Sequence, residues 1–105
     1  METNDKGNIA INKGNKKQVK CYKFNCSYLN RELMIHEDID TKDCTSVSDS
    51  ITGFRLFKLH KKFPSVQLSD ITEKLNKFIR HYTIEGIAEE FRRIEDLTEK
   101  TQKKE

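Results

Sequence analysis

The chain has 105 residues, of which 34% are hydrophobic and 35% charged, with a net charge of +3. That is apolar matter for one modest core; it excludes a core combined with a deep substrate cavity. No apolar run is long enough to span a membrane, and no apolar stretch follows the N-terminal charges as it would in a secretory signal. No membrane partner is therefore expected, and the three Cys are expected as reduced thiols in a cytoplasmic setting. The Lys/Asn/Ile-rich usage and small size suit a phage or viral origin, in which case the compartment is the host cytoplasm.

Residues 1–18 are rich in Asn, Lys and Gly, with Ile9, Ala10 and Ile11 as the one weak apolar spot, and are expected to form a disordered arm. One small domain is expected over 19–100, and a frayed tail over 101–105. Val19–Cys26 interleaves β-branched and aromatic residues with polar ones and predicts a strand. Tyr28–Arg31 can turn, with Asn30 tolerant of a left-handed conformation, and Glu32–His36 returns as a second strand. Glu37–Ser50 reads as an acidic loop rich in Ser, Thr and Asp.

Phe54, Leu56, Phe57 and Leu59 scatter around a helix at about 100° per residue, so the segment leans to a third strand contacted on both faces. Pro64 ends whatever precedes it. Leu68, Ile71, Leu75, Phe78 and Tyr82 then repeat every three or four residues, as one face of a helix does. Ser69 or Asp70 is the expected cap, with Glu73 completing a capping box. Ile84, Ile87, Phe91 and Ile94 continue the spacing in a different phase. A continuous helix would expose one stripe or the other, so a turn near His81–Thr83, with Thr83 capping a second helix, is predicted. On its outer face Glu89 and Arg93 are an expected ion pair. The fold class is α+β: a small antiparallel sheet, made of a hairpin with a possible third strand, followed by a C-terminal helix pair.

No chemical signature rises above this frame. Cys21, Cys26, His36 and Cys44 could be assembled into a four-ligand metal set only if Val19–Cys26 were a loop, because residues five apart on a strand face opposite ways. No metal and no cofactor are expected. The four Gly are isolated, so no phosphate-cradling loop is present, and no nucleophile motif surrounds any Cys or His. A catalytic role is not expected.

Charge alternates in blocks. Residues 51–80 carry seven Lys and Arg against Asp70 and Glu73, whereas residues 21–50 carry Lys23, Arg31 and Lys42 against six acids. Arg55, Lys58, Lys61, Lys62, Lys74, Lys77 and His81 are therefore the candidates for contact with an acidic partner or with nucleic acid. Ile84, Phe91, Ile94 and Leu97 are the candidates for a homodimer or partner interface.

Two short resemblances accompany these readings. Thr83–Phe91 resembles the opening helix of helix-turn-helix units, although Arg92–Leu97 continues as helix where the tight turn would fall. Residues 54–95, with Phe63-Pro64 ahead of Leu75, are similar to the three-helix ubiquitin-binding CUE domain. Taken together, the sequence predicts a non-enzymatic protein-interaction or regulatory module with a protein partner. A nucleic-acid-binding module using 55–81 is the alternative.

Overall fold

The computed structural model describes residues 2–11 and 15–103, with side chains described as far as Asp96. Five strands, β1 (Asp5–Ala10), β2 (Lys16–Cys26), β3 (Arg31–Glu37), β4 (Thr45–Asp49) and β5 (Arg55–Leu59), precede two helices, α1 (Leu68–Tyr82) and α2 (Ile84–Lys103). The strands form one antiparallel sheet in sequence order. The α+β class is the one expected. The sheet is larger than a hairpin with a third strand, because β1 and β4 join it.

β2 explains the architecture. Its first half, Lys16–Cys21, pairs with β1, and its second half, Cys21–Cys26, pairs with β3. The halves share only Cys21, so the β1–β2 hairpin is free to leave the plane of the sheet and fold over one face. Gly7 permits the close approach: a Cβ there would lie 2.5 Å from Met34 Sδ. Ile9, Cys21 and Met34 form a small buried cluster with Val19 against it. At the far end, the Ala10 amide donates to the Gly53 carbonyl at 2.9 Å. Gly53 has φ +77°, and a Cβ there would lie 2.6 Å from the Asn8 carbonyl oxygen, so both the turn and the contact call for glycine.

The other face carries the main core. Leu33 and Ile35 from β3, Val47 from β4 and Phe57 from β5 pack with Ile71 and Leu75 of α1. Covered on both sides, β3 buries Leu33 through His36 and β4 buries all five of its residues. The hairpin turn follows the expected form, with Asn30 at φ 52°. The helix pair does as well: Thr83 ends α1, and its Oγ1 accepts the Gly86 amide at 3.1 Å at the start of α2.

Several expectations differ from the structure. Within the arm expected at 1–18, residues 5–10 form β1, with Ile9 buried. The expected acidic loop at 37–50 contains β4, whose polar residues are paired rather than solvated. Gln67, without a side-chain cap bond, precedes α1, and Asp70 instead meets Lys61 at 2.9 Å. Arg93 pairs with Glu90 rather than Glu89. The β5 strand occupies the first part of the segment that resembled a three-helix domain, and α2 runs on where a recognition helix would begin. Within the tail expected to fray at 101–105, residues 101–103 continue α2, and 104–105 lie outside the described residues.

Candidate interaction groove

An apolar groove of about 410 Å³ opens where the start of β5 meets the end of α1 and the first turns of α2. Phe54, Leu56, Phe78, Tyr82, Ile87, Phe91 and Ile94 supply apolar lining, with Arg55 and Glu90 among the polar lining; Phe54 and Arg55 also border the cleft beneath β1. Its origin is the phase break between the helices. The α1 stripe buries Ile71 and Leu75 on the sheet, half-buries Phe78 and leaves Tyr82 exposed, and the α2 stripe buries only Ile87 and Phe91. Phe78 lies between Phe57 at 5.6 Å and Tyr82 at 4.8 Å, centroid to centroid, with both ring pairs tilted. Phe54 remains 44% exposed and Tyr82 55%, which marks this as incompletely covered apolar surface.

Arg31 holds the far side of α2 in place. Its Nε and one terminal nitrogen donate to the two carboxylate oxygens of Asp49, each at 2.8 Å, and that terminal nitrogen also meets Glu95 at 2.6 Å. The guanidinium lies 4.1 Å above the Phe91 ring. Burial alone would raise the Asp49 carboxyl, but hydrogen bonds from Arg31 and Thr52 hold it below the usual range. One arginine thus ties β3, β4 and α2 together and fixes the floor of the groove.

The opposite face of the sheet carries a buried polar network beside the Ile9, Cys21 and Met34 cluster. His36 Nδ1 lies 2.9 Å from the Glu37 carbonyl oxygen, which only an N–H can satisfy; Nε2 therefore accepts from the Ser48 hydroxyl at 2.7 Å. Burial lowers the His36 pKa, consistent with this neutral tautomer. Asp38 accepts from the Ser46 hydroxyl, the Thr41 amide at 2.7 Å and Arg55 at 2.9 Å. Burial opposes its ionisation, yet these donors hold it at about 2. The cluster lies along a cleft of about 300 Å³ beneath β1. Ser48 and His36 have the contact of a nucleophile and its base, but they are 1% and 2% exposed, and no buried side-chain polar atom lacks a partner among the described residues. A wider depression of about 610 Å³ between the hairpin and Pro64 has mixed Lys, Glu and Asp walls.

The expected basic residues fall on β5, the segment after it and α1. Arg55 is engaged by Asp38, Lys61 by Asp70 and Lys77 by Glu73. Lys58 donates to the Thr41 hydroxyl at 3.0 Å, Lys62 and Lys74 are exposed, and the His81 ring meets Tyr82 edge-on. Of the expected interface residues, Phe91 is buried in the groove floor, Ile94 lines the groove, and Ile84 is exposed outside the lining. The Leu97 side chain lies outside the described residues. The Arg31–Asp49 and His36–Ser48 pairs escape sequence reasoning; the one available signal was a charge or imidazole placed inside a strand pattern. Cys21 and Cys26 face opposite sides of β2, Cys44 sits 3.4 Å from His60, and no metal-binding group of three ligands occurs among the described residues.

The molecule is thus an α+β protein with a bent five-stranded antiparallel sheet and two terminal helices. No helix among the described residues is long and apolar enough to cross a membrane. No family model matches the chain, and neither a curated protein nor a solved structure shows significant similarity to it.

Proposed function

We propose that the protein is a non-enzymatic interaction module of the cytoplasm, or of a host cytoplasm, that receives a protein partner in the groove between β5 and the helix pair. The observation that carries this reading is a groove in which exposed Phe54 and Tyr82 adjoin half-buried Leu56 and Phe78, giving one continuous apolar surface. The polar groups elsewhere spend their hydrogen bonds on one another, as a structural network does. Selection from a random-peptide display library on the immobilised full chain tests it. Peptides enriched on the wild-type protein should be lost on Tyr82→Glu. No enrichment, or equal binding to the variant, would overturn the reading.

Nucleic-acid binding through Arg55, Lys58, Lys61, Lys62, Lys74, Lys77 and His81 is the competing reading. It asks for convergent free cations, whereas three of these already hold carboxylates. Gel shifts with DNA and RNA at low and high salt separate the two, because phosphate binding weakens steeply with salt.

A further inference from the structure

We infer that β5 accepts an extended segment of the partner as an added strand, and that this segment alternates apolar and acidic residues. This rests on the groove reading above and adds the conformation and charge of the occupant. β5 has β4 on one side and, among the described residues, no strand on the other. In an antiparallel ladder, alternate residues send both their N–H and C=O groups away from the neighbour, so the outer edge of β5 is a template for another strand.

The two faces of β5 differ in chemistry, and a bulge sets the difference. Arg55 pairs with Ser48 and Phe57 with Val47, which leaves Leu56 as the extra residue. Phe57 and Leu59 therefore face the core with Val47 and Thr45, Leu56 reaches the groove, and Arg55 and Lys58 stand with Ser48 and Ser46 on the polar face. A strand laid along this edge would place one set of alternate side chains beside Leu56 and Tyr82. It would place the other set beside Arg55 and Lys58. Lys58 meets a hydroxyl but no carboxylate among the described residues, and Lys62 follows with none. An acidic residue opposite them adds a favourable cross-strand pair.

The same charges argue against a second copy as the occupant. Two β5 strands running antiparallel would bring Lys58 and Lys62 of each chain, which hold no carboxylate among the described residues, close to one another, and like charges across strands repel.

Synthetic peptides titrated into the full-length chain by fluorescence anisotropy test the inference. The probe is an alternating Glu–Val peptide. Its comparators are the same composition with Val at helical spacing, and a Lys–Val version. Two further versions are N-methylated on one or the other alternate set of amides. The alternating acidic peptide should bind, and the Lys–Val version, one of the two methylated versions and the Lys58→Glu variant should each weaken binding about tenfold or more. The other methylated version should bind as before, since its blocked amides point away from β5. Equal binding by the Lys–Val peptide, or loss with both or neither methylation, would overturn the inference. Binding by the helical isomer alone, abolished by Tyr82→Glu, would overturn the added strand and leave the groove reading standing. Binding by none of them at the groove would overturn both.

Discussion

The two faces of the sheet solve the burial problem in opposite ways. On the hairpin face a small apolar cluster of Ile9, Cys21 and Met34 lies beside buried polar residues that each have a partner: His36 with Ser48, and Asp38 with Ser46, Thr41 and Arg55. On the helix face the residues are apolar and the cover is incomplete, so Phe54 and Tyr82 remain accessible. A satisfied polar network gains little from a ligand, whereas exposed apolar surface gains from any partner that removes it from water. On the proposed function, the chemically richer face is scaffold and the plainer face is the site.

The largest effect that sharpens this contrast is expected at Arg31. Arg31→Ala leaves the Asp49 carboxylate buried without its cation and should cost about 3–5 kcal/mol in denaturant unfolding. Gly53→Ala should cost about 1–3 kcal/mol, because it forces a side chain into a positive φ and against β1. Ser48→Ala should cost about 1–3 kcal/mol by leaving a buried imidazole nitrogen unpaired, with groove binding unchanged. If Ser48 were instead a nucleophile, a fluorophosphonate would label it in the wild-type chain, and the scaffold reading predicts no label.

Acid offers a graded version of the same test. The folded pKa of His36 lies below its ordinary 6.5, so the unfolded chain protonates first. Its contribution to stability is full above that pH and declines as pH falls below it. Asp38, held at about 2 against an ordinary 3.8, adds a second loss as pH drops from near 4 toward 2. The thermal midpoint should fall in two steps, and His36→Gln should flatten the first. The smallest stability change is expected at Tyr82→Glu, under about 1 kcal/mol for an exposed site, although this variant should have the largest effect on partner binding.

The helices were legible because their faces are apolar at helical spacing; even the turn was marked, since Ile84 falls out of phase with Phe78 and Tyr82. β2 and β3 were legible for the corresponding reason. β4 was not. Its sequence, Thr45-Ser46-Val47-Ser48-Asp49, has one large apolar residue, and its burial depends on partners far along the chain: Arg31 for Asp49, His36 for Ser48, and the Lys61 carbonyl for Thr45. β1 was hidden because Ile9 is its only buried apolar residue and its fit relies on the absence of a side chain at Gly7. The groove lay between these cases. Phe78, Phe91 and Ile94 were visible as stripe residues, but which of them the core would leave uncovered depended on how far α1 runs past the sheet.

Backbone hydrogen exchange, measured residue by residue with and without a peptide selected on the wild-type chain, tests the central claim most directly. The account predicts added protection confined to residues 54–59, the end of α1 around Phe78–Tyr82 and the first turns of α2, with β1 and the start of β2 unchanged. Protection appearing instead along Ile9–Ile11 and Lys16–Val19 would place the partner on the polar face and contradict it.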